Sequence, residues 1–401
     1  MSSRANFLIY NVLLIFKMFK KNLFLVMLGF LFISLFISGC AVDEPERGEN
    51  ITKENYSVEI LINDLTHPWG LAFVDDNLVL ITEKRGVLSL FDKETLELTE
   101  ISGVPGVDDS GQGGLLDVEY DDGIVYLTYV SGDNSGTGTH LGRGFLDVDS
   151  FELLDFEVLY KVEPFMHSGA HFGSRVVVKD DYLFLSTGDR GQKDFGPEHI
   201  AQDTQNPNGA VIRLYKNGSI PSDNPFVGDE DFLDEIYSYG HRNIQGLTLH
   251  PQTSELWASE HGERDGDEIN IIQKGGNHGW PIAHYGCQYG TTTPVGEKPH
   301  DLSETVDPVY YWECQSGGFP PAGMTFYFGE KFEDWQGNLF LGNLAGRYLG
   351  RFEVENNEVV EVSPLLEDEG WRIRDVKESS NGYLYVITDE NPGHLLKISS
   401  N

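Results

Sequence analysis

The chain has 401 residues, of which 64 are Asp or Glu and 28 are Lys or Arg, giving a formal net charge of −36. This acidic balance excludes a protein that binds nucleic acid or anionic membranes through a broad basic surface. An anionic ligand would have to meet a local group of cations, so any such group along the chain is informative.

The N-terminal residues have the features of an export signal. Lys20 and Lys21 precede an apolar stretch, residues 23–37, that is too short for a comfortable membrane span. The stretch ends in "ISGC", which resembles the lipobox of bacterial lipoproteins. We expect residues 1–39 to be a lipoprotein signal peptide and Cys40 to carry the lipid. The protein would then be exported to the periplasmic side and anchored to the outer membrane; an uncleaved anchor is the alternative.

Residues 40–56 are polar and acidic, which is typical of a tether. From residue 57 onward, apolar stretches and Gly, Asp or Asn turns repeat at roughly 55–60 residues. The repeats begin at His67, Gly113, Gly173, Gln245, Ala322 and Ile373. This pattern predicts an all-β, six-bladed β-propeller with four-stranded antiparallel blades over residues 57–401, in which residues 57–63 join the last blade. A pair of β-sandwiches or a β-solenoid is the alternative.

Residues 281–321 fit no repeat and contain Cys287 and Cys314. We expect them to form a long insertion on one face between blades four and five. In an exported protein these cysteines are expected to form a disulfide, and two free thiols are the alternative.

In a propeller, the residues before each first strand and after each second strand lie on one face, around the channel mouth. The residues in those positions that carry chemistry are Gln112, His171, Asp189, Arg242, Asn243, His261, Gly262, Glu263, Asn343, Arg372 and Arg374. Arginine forks match carboxylates bidentately, so three arginines indicate a polycarboxylate ligand. Taken singly, each arginine is more typical of a surface or ion-pair residue.

Two further groups at this mouth indicate a chemical function. The loop "HGERDGDEIN" supplies carbonyl and carboxylate oxygens at a density that suits Ca²⁺, although a solvated acidic loop is the alternative. His171 is the group best suited to take up a proton at neutral pH, unless it is a hydrogen-bonded structural histidine. His167 and His171 could also pair on Zn²⁺, but the sequence offers no third ligand.

At these positions the chain resembles the soluble-type pyrroloquinoline quinone (PQQ) dependent aldose dehydrogenases, the glucose/sorbosone dehydrogenases. The resemblance covers nearly all of residues 57–400. It rests on seven motifs in order: "PWGLAF", "GQGGLLDV", "HFGSR", "GHRNIQGL", "EHGERDGDEINII", "GGNHGWP" and "RIRDV". It implies a six-bladed propeller that holds PQQ, a planar tricarboxylate quinone, and Ca²⁺ at the channel mouth.

The resemblance also implies roles for individual residues. His171 would be the general base that takes the proton of the anomeric hydroxyl while hydride passes from C1 to C5 of the quinone. Gln112 would contact cofactor and sugar, and Arg242 and Asn243 would hold the quinone oxygens, with Arg242 also facing the sugar. The remaining cofactor contacts would be Tyr289, Asn343, Arg372 and Arg374.

Two metal positions follow from the same resemblance. The carbonyls of Gly262 and Glu263 would bind the Ca²⁺ that acts on PQQ as a Lewis acid. Glu268 and His278 match a second, structural calcium position, where His278 replaces the usual tyrosine.

Two other departures concern the substrate and the cofactor. Ala170 stands where the glucose-oxidising members have an acid before the catalytic histidine, which indicates a looser sugar pocket. Ala345 stands where a lysine is common, and Arg347 is the expected replacement.

The sequence therefore predicts an oxidoreductase that converts the C1 hydroxyl of aldose sugars to lactones with broad sugar specificity. Electrons would pass through PQQ to a quinone or an artificial dye. A Ca²⁺-dependent lactonase-type propeller hydrolase and a non-catalytic propeller lipoprotein are the alternatives.

Overall fold

The computed structural model describes residues 50–401, which fold as six antiparallel sheets. The predictions for the signal peptide, for Cys40 and for most of the tether concern residues outside this range. The strands in chain order are β1 (Asn50–Thr52), β2 (Tyr56–Leu65), β3 (Pro68–Phe73), β4 (Leu78–Glu83), β5 (Val87–Asp92), β6 (Glu97–Ile101), β7 (Leu115–Asp121), β8 (Ile124–Asp133), β9 (Gly136–Asp147), β10 (Glu152–Lys161), β11 (Val176–Lys179), β12 (Tyr182–Ser186), β13 (Ala210–Tyr215), β14 (Ile236–Tyr239), β15 (Ile244–Leu249), β16 (Leu256–Glu260), β17 (Glu268–Ile271), β18 (Tyr310–Tyr311), β19 (Pro321–Phe326), β20 (Leu339–Asn343), β21 (Tyr348–Glu355), β22 (Glu358–Glu361), β23 (Ile373–Glu378), β24 (Leu384–Thr388) and β25 (Gly393–Ser400).

These strands form the predicted six-bladed propeller. Blades one to five are β3–β6, β7–β10, β11–β14, β15–β18 and β19–β22. Blade six combines β23–β25 with β2, so the strand that contains residues 57–63 closes the ring as predicted. β1 adds a fifth strand at the outer edge of that blade. Residues 50–56, which the sequence analysis assigned to the tether, thus include β1 and the first residue of β2.

Helices contribute little to the described residues. Three single-turn 3-10 helices occur, at Ile200–Gln202, Pro299–Asp301 and Glu333–Trp335. Within residues 50–401, no helix is long and apolar enough to cross a membrane.

Six apolar clusters hold the ring together, each between two successive blades. Leu80 and Leu90 of blade one pack against Val118 and Leu127 of blade two, for example. The last cluster joins blade six to blade one. Because both faces of every blade are covered, the sequences of the central strands are nearly continuous apolar runs. Burial of these side chains stabilises the fold by about 25 cal/mol per Å² of apolar surface.

The insertion lies inside blade four, not between blades four and five. Residues 272–309 connect the third strand, β17, to a two-residue fourth strand, β18, whose Tyr311 pairs with Glu268. The prediction missed this because two residues leave no recognisable strand pattern. Cys287 and Cys314 form a disulfide with Cα atoms 5.4 Å apart, which ties the insertion to the segment after β18.

Candidate active site

A cavity of about 290 Å³ opens at the channel mouth and is lined by residues from all six blades. The lining residues that carry chemistry are Trp69, Lys84, Gln112, Asn243, Gln245, His261, Arg372, Arg374 and Asp389. Each lies within the first three residues of a blade's first strand, just before that strand, or directly after the second strand. The sequence analysis predicted that four of the lining residues lie at the channel mouth: Gln112, Asn243, Arg372 and Arg374.

The arginine pair is fixed by one carboxylate. Arg374 donates from Nη2 to Oδ2 of Asp389 over 2.6 Å, and Arg372 donates to the same oxygen over 3.2 Å. Ile373 between them is fully buried against the core between blades five and six. Burial alone would raise the pKa of Asp389, but the charges of Arg374 and Arg372 hold it far below its ordinary value. Asp389 thus stays ionised and cancels one of the two positive charges.

The cavity keeps an excess of positive charge. Lys84, Arg372 and Arg374 bring three cations to the lining, whereas Asp389 is its single carboxylate among the described residues. Arg374 also donates from Nη1 to Oε1 of Gln245 over 3.1 Å, but its buried Nε meets no partner within residues 50–401. A buried donor without a partner is costly, so this group fits an anionic ligand in the cavity.

Arg175 forms the floor of the site. Its Nη1 donates to Asp117 over 2.9 Å and to Asp375 over 3.0 Å, and its Nη2 donates to the carbonyl of Arg374 over 3.1 Å. Its guanidinium lies 4.1 Å from the ring centre of Trp69, which lines the cavity. This ion-paired group crosses the channel and supports the backbone carbonyl of Arg374.

His171 stands at the edge of the cavity, immediately before the lining residues Phe172 and Gly173. Its Nδ1 lies 2.6 Å from Oδ1 of Asp189, which also accepts from the backbone of Gly191 over 2.8 Å. Burial alone would raise the pKa of Asp189, but the hydrogen bond and charge of His171 and the charge of Arg242 hold it below its ordinary value. An ionised Asp189 can only accept, so Nδ1 donates in this hydrogen bond, and Nε2, which has no partner within residues 50–401, is the nitrogen left for proton transfer.

The second oxygen of Asp189 also accepts a hydrogen bond. The indole Nε1 of Trp280 donates to Oδ2 over 2.8 Å, and both residues are buried. His171 itself has a backbone φ of +50°, a left-handed conformation that is uncommon for residues other than glycine. The backbone conformation of this turn therefore helps to determine the position of the imidazole.

Two amides complete the lining beside His171. Gln112 accepts from the backbone N–H of His171 through Oε1 over 2.8 Å, which leaves its NH₂ group for a ligand. Asn243 accepts through Oδ1 from the backbone of Gly173 over 3.1 Å, so its NH₂ group is likewise available. Both side chains thus offer donors to ligand oxygens while fixing the histidine turn.

Arg242 lies behind the main cavity, where it lines a second, smaller cavity of about 10 Å³ together with His261, Glu268 and His278. Its Nη2 donates to Oε2 of Glu263 over 2.8 Å, and its buried Nε has no partner within the described residues. His261 lines both cavities, and burial lowers its pKa to about 3. Its neutral ring donates from Nε2 to the carbonyl of Pro321 over 2.6 Å, so Nδ1 remains an acceptor.

The acidic loop does not form a side-chain metal cluster. Asp267 accepts from the backbones of Gly262 and Phe319, and Glu263 binds Arg242 and Lys193. Within residues 50–401, no group of three or more His, Cys, Asp or Glu side chains is arranged to hold a metal ion. The carbonyl oxygens of Gly262 and Glu263 accept no hydrogen bond from the residues described, so these predicted ligands are available to a cation.

The second predicted metal position is occupied by a hydrogen-bonded group. Asn270 donates to Glu268 over 3.2 Å, and its Oδ1 lies 3.4 Å from Nδ1 of His278. Burial raises the pKa of Glu268 well above its ordinary value, and burial together with His241 lowers that of His278. Both side chains are thus engaged with Asn270, and their role as ligands of a second calcium stays a prediction.

Besides Arg242, three predicted cofactor residues lie outside the main cavity. Arg347 binds the carbonyl of Gly370 and the carboxylate of Glu390, and its side chain is 45% exposed. Tyr289 is 65% exposed on the insertion, and buried Asn343 accepts from the backbone of Gly346. None of the three lines the main cavity, and their participation in ligand binding stays a prediction.

Sequence reasoning missed several lining residues. Lys84 and Asp389 directly follow the second strands of blades one and six, and Trp69 and Gln245 lie at the start of first strands. The positional rule that found Asp189 and His261 would have found Lys84 and Asp389, whereas Trp69 and Gln245 lie inside the strands and fall outside it. The pairing of Asp389 with both arginines has no signal in the sequence.

Comparisons with known proteins identify the family. The model of the family described as "Glucose / Sorbosone dehydrogenase" matches residues 65–397. The aldose sugar dehydrogenase YliI of Escherichia coli K12 is 40% identical over 351 residues, which cover 86% of this chain and 92% of that protein.

Solved structures agree with this match. The apo-form of the soluble aldose sugar dehydrogenase from Escherichia coli superposes with a TM-score of 0.80 at 39% identity, covering 86% of this chain and all of that one (100%). The PQQ-bound aldose sugar dehydrogenase from Streptomyces coelicolor superposes with a TM-score of 0.69 at 25% identity, covering 88% and 100%. The propeller and its cation-lined mouth thus define an enzyme of the sugar dehydrogenase class. The chain belongs to the glucose/sorbosone dehydrogenase family.

Proposed function

We propose that this enzyme oxidises the C1 hydroxyl of aldose sugars to the lactone, with PQQ as cofactor and broad sugar specificity. One observation carries the proposal: the cavity is rich in cations, and the imidazole of His171, oriented by Asp189, lies at its edge. Bound PQQ supplies a two-electron acceptor for the hydride of the sugar. The relatives named aldose sugar dehydrogenase and the PQQ-bound neighbour support this assignment.

The anion-binding residues are Arg372 and Arg374 in this proposal. Their forks match carboxylates, and Asp389 holds both guanidinium groups in the cavity before any ligand arrives. The NH₂ groups of Gln112 and Asn243 are available to ligand oxygens, and Arg242 adds positive charge behind them. Such preorganised donors stabilise charge that develops during reaction.

His171 is the proposed general base. Asp189 keeps the proton on Nδ1, so Nε2 takes up the proton of the C1 hydroxyl as the C1–H hydride leaves. Gln112 fixes the backbone of His171 and lies where it can contact the sugar as well. Ala170, in place of an acid, supports the looser sugar selectivity.

We propose Ca²⁺ as a second cofactor, held chiefly by the carbonyl oxygens of Gly262 and Glu263. It would supply Lewis-acid polarisation beside Arg242. The availability of those carbonyls supports this position, and a second calcium at Glu268 and His278 is proposed as well.

Product analysis tests the reaction type. The apo-protein, reconstituted with PQQ and Ca²⁺, should reduce an artificial dye with several aldoses and release the corresponding lactone. 1,5-Anhydroglucitol, which has no C1 hydroxyl, should be inert. Hydrolysis of an added lactone with Ca²⁺ alone would favour a lactonase instead.

Export and lipid attachment at Cys40 complete the proposal, supported by the signal-like residues 1–39. Cells that express the full chain should incorporate labelled fatty acid into it, and the Cys40→Ser variant should lose the label. Equal labelling of both chains would exclude Cys40 as the attachment site.

A further inference from the structure

Lys84 brings to the cavity a cation that lies outside every motif on which the resemblance rests. It directly follows β4 in blade one and lines the cavity together with Arg372 and Arg374 of blade six. Its Nζ donates to the carbonyl of Gly111 over 2.9 Å. An ammonium group has three donors, so two remain for a ligand.

Blade five, by contrast, presents no charge to the cavity. The described residues that line it from this blade are Pro320, Leu344 and Ala345. Ala345 stands where a lysine is common in the family, and Arg347 is held outside by Gly370 and Glu390. The cation expected from blade five is therefore missing.

We propose that Lys84 supplies the third cationic contact of the site and binds a carboxylate of the cofactor from blade one, in place of the missing cation of blade five. This inference rests on the proposed use of PQQ. Asp389 cancels one charge of the arginine pair, so without Lys84 a tricarboxylate would meet a net charge of about +1 at the cavity wall.

The environment of Lys84 suits this role. Burial lowers its pKa even though the charge of Asp389 opposes the shift. A half-buried ammonium gains from an anionic partner. Blades six and one, which carry the three cations, lie across the ring from blades three and four, which carry His171 and Asn243. The three cations that line the cavity thus lie on one side of the site, and the imidazole of His171 lies on the other.

Equilibrium titration of the apo-protein with PQQ tests this inference independently of turnover. Lys84→Gln and Lys84→Met should each weaken binding by about tenfold or more, and Lys84→Arg should stay within about threefold of wild type. Arg85→Gln, which removes the adjacent and exposed cation, is the matched control and should change the affinity by less than about twofold. Arg347→Gln tests the rival position and should also stay within about twofold.

The outcomes separate this inference from the proposed function. Unchanged affinity in both Lys84→Gln and Lys84→Met, with folded apo-proteins by thermal unfolding, overturns it. A tenfold loss in Arg347→Gln with none in Lys84→Gln overturns it in favour of Arg347. If wild type binds PQQ and Arg374→Ala weakens that binding, the proposed cofactor stands in either case. Absence of PQQ binding by wild type overturns both.

Discussion

The imidazole of His171 and the carboxylate of Asp189 lie 2.6 Å apart, from Nδ1 to Oδ1, in loops before the first and after the second strand of blade three. Asp189 is fully buried and receives two further hydrogen bonds, from Gly191 and Trp280. The carboxylate is therefore rigid, and it fixes both the ring orientation and the tautomer of the histidine. Because Nδ1 of His171 is hydrogen-bonded to Asp189, Nε2 is the nitrogen that can act as a base.

Replacement of His171 by Ala should separate catalysis from cofactor binding. Turnover should fall by about 10²–10⁴-fold because proton uptake from the C1 hydroxyl is lost. PQQ affinity should change little, since the cations of blades six and one remain. Steady-state dye reduction and PQQ titration on the same preparation measure both quantities, and retained turnover would show that another group is the base.

The Asp189→Asn variant tests the orientation of His171. An amide can donate to Nδ1, which would move the ring proton to Nε2 and remove the base, so kcat should fall by about 100-fold or more. The KM for the sugar should change much less. Trp280→Phe removes one donor to Asp189 and keeps the carboxylate, so its kcat should fall less. Equal losses in the two variants would indicate a structural role for Asp189.

Loss of either arginine of the pair should weaken PQQ binding. Arg372→Ala or Arg374→Ala should cost about 2 kcal/mol or more, roughly 30-fold in Kd, because charge-assisted forks are lost. Arg374→Lys should recover part of the loss, since it restores charge without the fork. Arg143→Ala on the outer part of blade two, which loses only its contacts with Glu157 and Lys216, is the control. Unchanged affinity in both alanine variants would return the pair to a structural role with Asp389.

Asp389 should make the apo-protein sensitive to acid. Its folded-state pKa lies far below that of the unfolded chain, so its ion pairs stabilise the fold above about pH 4 and are lost as the pH falls below that value. Urea unfolding should find Asp389→Asn less stable than wild type by about 2 kcal/mol at pH 7. The difference should narrow steadily from pH 4 to pH 2. A difference that stays constant over that range would contradict the assignment.

The disulfide should contribute to stability through the loop that it closes. Cys287 and Cys314 are 27 residues apart, and closing a loop of that length contributes about 3–4 kcal/mol on the chain-entropy account. The Cys287→Ser/Cys314→Ser variant should unfold at lower urea concentration than the oxidised wild type. A reductant should lower the wild-type midpoint to match, and a variant as stable as wild type would contradict the expectation.

Much of the site could be predicted because, in a propeller, the place of a residue relative to the strands of its blade determines whether it lies at the channel mouth. Gln112, Asn243, Arg372 and Arg374 were identified from their places relative to first strands, and all four line the cavity. That reasoning needs only the blade repeats, which are strong because each blade buries both faces.

The remainder depends on side-chain partners that the register does not determine. Arg347 was expected in the cavity from its spacing, but Glu390 and the carbonyl of Gly370 bind it outside. Asp389 was overlooked because its pairing with Arg372 and Arg374 joins residues on either side of the β23–β24 hairpin. The insertion was placed one strand too late because β18 has only two residues.

The central claim is that the enzyme oxidises aldoses with PQQ. Its most direct test reconstitutes the wild-type apo-protein with PQQ and Ca²⁺ and then adds an aldose in the presence of an artificial dye. We predict dye reduction that requires sugar, PQQ and Ca²⁺ together and that is lost in His171→Ala. No reduction with any of several aldoses, by a protein shown to bind PQQ, would contradict the proposed function.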